Sequence, residues 1–136
     1  MTLRRIPSGA FVGPHFELGQ LDFPAYDALK TRIDPTTLFS FYVMLRAPMK
    51  GGELVAYSLR WGAADAECVN DRHDESGRLF DRYEPTLLTP AAGDLLLFDS
   101  GRCAHGVRIV DDVRARWTAG GLVAFERGHD RVLAWA

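Results

Sequence analysis

Three residues in this sequence have side chains that could together bind a metal ion, namely His15, Glu17 and His105. His15 and Glu17 are alternate residues, so on a β-strand both side chains point to the same face. Two imidazoles and one carboxylate suit Fe(II), fill three adjacent coordination positions and leave three open for a chelating co-substrate and O2. Because a His-x-Glu pair often arises by chance, this interpretation depends on the residues that follow His105.

Those residues include an Arg-x-Thr motif formed by Arg116 and Thr118. On a strand the guanidinium and the hydroxyl share a face. A 2-oxo acid that chelates iron leaves its far carboxylate in need of a buried cationic partner, and arginine offers a planar, always charged fork. Arg108 and Arg114 are alternatives, but Arg108 is predicted to lie on the opposite face, and no hydroxyl residue follows Arg114 by two places.

The anion-binding part of this site also has a purely structural interpretation. Without the histidines, Arg116 would be a solvated strand end with nothing bound. Tyr42, on an apolar strand, could donate its hydroxyl to a bound carboxylate, although a buried tyrosine more often finds its partner within the protein. Only two of the 16 basic residues are lysines, so an anion site in this chain would use arginine.

The hydrophobic pattern predicts the strands that would position these side chains. A buried strand over residues 95–98 leads through a Ser-Gly turn into the strand of His105, whose face Val107 and Ile109 would share. A turn over 111–114 precedes the strand that begins at Arg116. The apolar run 38–45 is typical of a central strand buried on both faces, and residues 53–61 are predicted to be its hairpin partner after a turn over 46–52.

The remaining chain adds little helix. Residues 20–34 include a short predicted helix, and the polar segment 62–84 is long enough to be a functional lid or a disordered loop. Two glycines inside the last long strand, Gly120 and Gly121, indicate a bulge or a close backbone approach. Many short strands with Gly and Pro turns predict a mostly β, double-sheet jelly roll with little helix.

Composition limits the classes of function. The 136 residues predict a single domain over 1–136, and the net charge of −2 gives no reason to expect nucleic acid or a membrane as partner. No apolar run approaches the roughly 20 residues of a membrane span. The N-terminus lacks a secretion signal, and two distant cysteines are expected to be free thiols, so the predicted location is the cytoplasm.

These motifs, in this order, resemble the catalytic core of the Fe(II)/2-oxoglutarate-dependent oxygenase superfamily, from Gly9 to Phe125. The similarity is carried by SGAFVGPHFELG with its His-x-Glu, by FYVMLRAPMKGGELVAY, by PAAGDLLLFDSGRCAH and by RWT. Two of these phrases look most like bacterial small-molecule hydroxylases that have halogenating relatives. The resemblance implies a double-stranded β-helix fold, with Fe(II), 2-oxoglutarate and O2 as cofactor and co-substrates.

Carried over by position, the resemblance implies that His15, Glu17 and His105 hold iron and that Arg116, with Thr118, binds 2-oxoglutarate. Tyr42 is a further candidate for this cofactor site because of its place on the apolar strand. Halogenating members replace the carboxylate by Gly or Ala, so Glu17 favours hydroxylation, or a related oxidation, of a small molecule such as an amino acid or biosynthetic intermediate. Members usually have Asp at this position, and most carry helices before the first metal ligand that are missing from this chain.

That missing segment supports a second hypothesis, a catalytically inactive, shortened jelly-roll module for binding or dimerisation. A third is a cupin-type metalloprotein, although cupins typically contain His-x-His and none occurs here. Sheet surface left uncovered by helices would favour a homodimer.

Overall fold

The computed structural model of the protein describes residues 1–66, 69 and 82–136 and forms two antiparallel sheets. In the five-stranded sheet the order is β1 (Thr2–Ile6), β8 (Arg116–Phe125), β3 (Phe39–Arg46) and β6 (Leu95–Phe98), with β9 (Val132–Trp135) also paired to β8. In the four-stranded sheet it is β2 (Val12–His15), β7 (Cys103–Val107), β4 (Leu54–Arg60) and β5 (Pro85–Leu88). The predicted jelly roll is confirmed.

Helix is a minor component of the described residues. The short helix predicted between residues 20 and 34 is present as α1 (Asp27–Arg32), and 3₁₀ turns cover Glu17–Asp22, Pro24–Tyr26, Pro35–Thr37 and Ala64–Ala66. None of the helices in the described part of the chain has the length and apolar character that a membrane span requires. Most of segment 62–84, predicted to be a lid or loop, lies outside the described residues.

The two sheets pack face to face around an apolar core. Ile6 of β1, Leu54 of β4 and Val107 of β7 are buried together with Val110, and Tyr42, Leu96 and Phe98 of the larger sheet pack against them. These side chains come from alternate positions of strands in both sheets, as expected for a sandwich. A second cluster, which contains Leu21, Ile33 and Leu122, joins the helical segment to β8.

The predicted hairpin between β3 and β4 is wrong. β3 pairs with β6 and β8, whereas β4 lies in the other sheet between β5 and β7. The connecting loop bonds instead to the segment after β7, because the Gly52 amide donates to Ile109 O at 3.0 Å and the Arg108 amide donates to Glu53 O at 3.0 Å. Turn residues indicate that the chain turns, but they do not indicate to which sheet it returns.

The predicted burial of two strands is also wrong in part. β6 is an edge strand, and its Leu95 and Leu97 are 64% and 62% exposed because only the side chains of Leu96 and Phe98 face the other sheet. In β3, Ser40 and Met44 are buried but Leu45 is 49% exposed. An apolar run therefore marked these strands correctly without identifying which faces are covered.

Candidate active site

His15 and His105 lie opposite each other on neighbouring strands. They are register partners in the antiparallel pairing of β2 with β7, and side chains of directly opposed residues extend from the same face of a sheet. Their ring centroids are 4.3 Å apart. The fold therefore brings together two residues that are 90 positions apart in the sequence.

Backbone carbonyls fix the orientation of both rings. His15 Nδ1 lies 2.8 Å from Gly13 O, and His105 Nδ1 lies 3.0 Å from Cys103 O. Since a carbonyl oxygen can only accept, each Nδ1 must carry the proton and donate it. In the neutral ring this leaves the lone pair on Nε2, which is the arrangement that partners of metal-binding histidines usually impose.

Glu17 completes the cluster from a position that was predicted incorrectly. β2 ends at His15, and Glu17 begins the 3₁₀ helix Glu17–Asp22 rather than continuing the strand. Phe16, between them, keeps an extended backbone (φ −116°, ψ 135°), so both side chains still reach the same side. Glu17 Oε1 lies 3.6 Å from His15 Nε2 and 3.9 Å from His105 Nε2.

The amide of Gln20, one turn further along the same helix, donates from Nε2 to the other carboxylate oxygen, Glu17 Oε2. Gln20 therefore holds one oxygen, while Oε1 faces the two histidines. Sequence reasoning missed Gln20; its spacing of three from Glu17 would have indicated it once this segment was recognised as helix.

Glu17 and His105 are buried and His15 is partly buried, and their charges shift one another's pKa values. Burial and the nearby charge of His15 lower the pKa of His105 to about 4. Burial alone would lower the pKa of His15 and raise that of Glu17. Their mutual contact, together with the Gly13 carbonyl for His15 and the charges of His105 and Arg4 for Glu17, outweighs burial, so the pKa of His15 is raised and that of Glu17 is lowered. Two ring nitrogens and a carboxylate oxygen within 4.8 Å of one another could hold a metal ion, because converging acceptors need a cation between them.

Arg116 lies on the inner face of the five-stranded sheet. It is 2% exposed, and its Nε and Nη2 atoms are buried with no hydrogen-bond partner among the described residues. Burial lowers the pKa of the guanidinium, which nonetheless stays charged at neutral pH. A buried cation without an anion is unfavourable, so these donors fit an anionic ligand. By contrast, Arg108 is exposed, and Arg114 pairs with Asp112 at the surface.

Tyr42 and Thr118 lie beside this guanidinium. Arg116 Cζ is 5.0 Å from the centroid of the Tyr42 ring, and Thr118 is 5% exposed on the same face. The Tyr42 hydroxyl has no hydrogen-bond partner within the described residues, and the only cation against its ring among them is that of Arg116. Burial raises the pKa of Tyr42, although the Arg116 charge opposes this, so the hydroxyl stays protonated and can donate.

Gly120 makes room for Tyr42. A Cβ atom at Gly120 would lie 2.2 Å from Phe41 O and 2.6 Å from the Tyr42 Cβ, so only glycine allows the strands to approach this closely. The close backbone approach predicted here is therefore confirmed.

One cavity joins the cluster of two histidines and Glu17 to Arg116. Phe98 packs against both ends: its ring centroid lies 5.0 Å from that of His105 and 6.5 Å from that of Tyr42. The cavity has a volume of about 150 Å³ and opens to solvent. All six residues predicted from the sequence line it, namely His15, Glu17, His105, Tyr42, Arg116 and Thr118.

This pairing of a jelly roll with two histidines, a carboxylate and a buried arginine defines a class, the Fe(II)/2-oxoglutarate-dependent oxygenase superfamily. The family model of the carrier-protein-independent halogenase WelO5 matches residues 1–136, and the chain belongs to that family. A search of curated proteins found no match.

Solved structures of similar fold include an N-substituted L-amino acid dioxygenase from Burkholderia ambifaria AMMD, at 19% identity and a TM-score of 0.68. The same enzyme in complex with alpha-KG matches at 15% identity and a TM-score of 0.64. Both matches cover 99% of this chain but only 52% and 51% of the solved chains. The chain therefore spans about half the length of these relatives.

Proposed function

We propose that this chain forms the Fe(II)- and 2-oxoglutarate-binding part of an oxygenase that oxidises a small molecule. The observation that carries the proposal is the convergence of His15 Nε2, His105 Nε2 and Glu17 Oε1 at one end of a cavity. At its other end lies the buried Arg116, whose Nε and Nη2 have no hydrogen-bond partner among the described residues. The donor set suits Fe(II), and the unpaired guanidinium suits a carboxylate.

In this proposal the two histidines and Glu17 hold the iron, and Gln20 keeps Glu17 Oε2 engaged so that Oε1 binds the metal. When bound, the iron would supply the activation of O2, with 2-oxoglutarate as co-substrate. Each imidazole Nδ1 keeps its proton and donates it to a backbone carbonyl, that of Gly13 for His15 and that of Cys103 for His105, which orients both rings with Nε2 directed at the ion.

Arg116 would bind the far carboxylate of 2-oxoglutarate, and Tyr42 and Thr118 would each donate a hydroxyl to it. Because the guanidinium is already desolvated and held against the Tyr42 ring, little reorganisation is needed when the carboxylate arrives. Phe98 contacts both His105 and Tyr42 and so forms an apolar wall between the two ends of the cavity.

Among the possible outcomes, hydroxylation or a related oxidation is proposed rather than halogenation. The family model is that of a halogenase, and the resemblance implies that halogenating members leave the carboxylate position vacant for halide. Here Glu17 is present and Oε1 faces both histidines. An acidic side chain in that position would both block and repel a halide ion.

The substrate is proposed to be a small molecule such as an amino acid or a biosynthetic intermediate; the solved relatives are named as dioxygenases of N-substituted L-amino acids. A single domain over 1–136, a homodimer, a cytoplasmic location and closure of segment 62–84 over the substrate stay predictions.

The test is turnover of the co-substrate. Purified protein with Fe(II), 2-oxoglutarate and O2 is expected to form succinate, at least slowly in the absence of substrate, and His105→Ala is expected to abolish this. His129→Ala is the matched control, because His129 is an exposed histidine that pairs with Asp34. Succinate formation that survives His105→Ala would contradict the proposal, and its absence from folded wild-type protein that binds no iron would favour the inactive binding module.

A further inference from the structure

A second arginine, Arg4, faces the same cavity. In the pairing of β1 with β8, Arg4 lies directly opposite Thr118, and opposed residues of antiparallel strands share a face. Arg4 lines the cavity together with His15 and Glu17. Its neighbour Arg5 lies on the other face of the sheet, where its guanidinium is 6.0 Å from the centroid of a Trp117 ring.

Arg4 differs from the other cavity cation in its position and accessibility. Arg116 is buried in the interior, whereas Arg4 is solvent-exposed. Its guanidinium has no hydrogen bond or ion pair with any residue in the described part of the chain, yet it lies within electrostatic reach of His15, Glu17 and Arg116. The Arg4 guanidinium is therefore available to an arriving molecule.

The charges in the cavity indicate what that molecule would be. With the histidines neutral, a divalent ion and Arg116 carry three positive charges and Glu17 carries one negative charge, so together they balance the two negative charges of 2-oxoglutarate. The positive charge of Arg4 is not balanced by any of these groups. Trp135, which also lines the cavity, contributes a buried indole N–H that has no acceptor among the described residues, so the unused polar groups here are donors.

We propose that Arg4 binds a carboxylate of the primary substrate, so that the enzyme selects anionic small molecules over neutral ones of the same shape. This rests on the proposed function, because it assigns the oxidised substrate to the space between Arg4 and the metal-binding cluster. Arg4 is then the specificity-determining residue at the cavity mouth, while Arg116 serves the co-substrate.

The experiment compares an acid with its neutral amide, for example N-acetyl-L-leucine with N-acetyl-L-leucinamide. Calorimetry under anaerobic conditions, with Fe(II) and 2-oxoglutarate present, gives both affinities for wild type, Arg4→Gln and Arg5→Gln. Wild type and Arg5→Gln are expected to bind the acid at least about tenfold more tightly than the amide. Arg4→Gln is expected to lose this preference and to keep its affinity for 2-oxoglutarate.

A preference that persists in Arg4→Gln, or no preference in wild type, would overturn the proposal. A second measurement separates this outcome from failure of the iron site. In metal-free Arg116→Leu protein, Arg4 is the remaining cavity arginine among the described residues, so the acid should still bind more tightly than the amide, and the double variant Arg4→Gln/Arg116→Leu should not discriminate. Equal binding of acid and amide by metal-free Arg116→Leu would contradict the role of Arg4 whether or not iron binds.

Discussion

The inner face of the five-stranded sheet buries polar side chains beside its apolar ones, whereas its outer face exposes leucines. On the inner face Ser40, Arg116 and Thr118 are at most 8% exposed, whereas on the outer face Leu95 and Leu97 are more than 60% exposed. Burying a charged or polar group is unfavourable unless it is paired, and Ser40 is paired, through a 2.7 Å hydrogen bond to Ser100. Arg116 is not. The buried guanidinium is therefore the feature of the inner face that the proposed carboxylate ligand would explain.

Arg116→Leu, for which the largest effect is expected, tests whether the buried guanidinium binds a ligand or stabilises the fold. Affinity for 2-oxoglutarate should fall about a hundredfold or more, because a desolvated, charge-assisted carboxylate contact is removed. Without ligand, the free energy of unfolding should stay the same or rise by about 1–3 kcal/mol, since an apolar side chain replaces an unpaired buried cation. Calorimetry and urea denaturation measure the two quantities.

The control for this substitution is Arg114→Leu, which removes an exposed arginine that pairs with Asp112 and should change neither quantity appreciably. A large loss of stability in Arg116→Leu would show that the guanidinium is structural, and the contrast between the two faces would then lose its functional meaning.

Gln20→Leu tests the metal-binding end of the cavity. Glu17 loses the donor that holds Oε2, so Fe(II) affinity should fall about 10–100-fold, the usual effect of removing a partner of a metal ligand. Gln20→Glu keeps the shape but replaces the donor by a like charge, and it should not restore binding. Titration with Fe(II) under anaerobic conditions checks both variants, and unchanged affinity in Gln20→Leu would rule out the positioning role.

Two adjacent leucines compare the faces directly. Leu96 faces the core and Leu97 faces outward, so Leu96→Thr should lower the free energy of unfolding by about 1–2 kcal/mol and Leu97→Thr should change it by less than about 0.5 kcal/mol. Chemical denaturation of the two variants provides the comparison. Equal losses would mean that the outer face is covered in solution.

The smallest effect is expected from Tyr42→Phe. Its hydroxyl has no partner in the described part of the chain, so its loss should leave stability unchanged. Binding of 2-oxoglutarate should weaken by about three- to tenfold, because the carboxylate keeps its contact with Arg116. Tyr57→Phe is a control on the other sheet. Unchanged affinity for 2-oxoglutarate in Tyr42→Phe would remove Tyr42 from the co-substrate site.

Local pattern selected six residues that the fold brings to one cavity, while their roles in binding stay predictions. Alternation placed Arg116 and Thr118 on one face, and it brought Glu17 to the side of His15 although the strand ends before it. What local pattern could not supply was the partner of each strand. β4 joins the other sheet because its preceding loop bonds to residues 108–111, and that pairing depends on residues more than 50 positions away.

Arg4 and Gln20 were missed for related reasons. β1 is a short, mostly exposed edge strand with no alternating pattern, so nothing local indicated that Arg4 would face a cavity. Gln20 acts through a helical spacing of three in a segment whose start was predicted to be strand. Both contributions become visible only after the pairing of β1 with β8 and the end of β2 are known.

The most direct test of the central claim is an anaerobic titration of the metal-free protein with Fe(II) and 2-oxoglutarate, monitored for the weak visible charge-transfer band of the chelated complex. Wild-type protein is expected to give this band, and His105→Ala is expected to abolish it. Arg116→Leu should give the band only at much higher concentrations of 2-oxoglutarate. Folded wild-type protein that gives no band at saturating concentrations of both ligands would contradict the central claim.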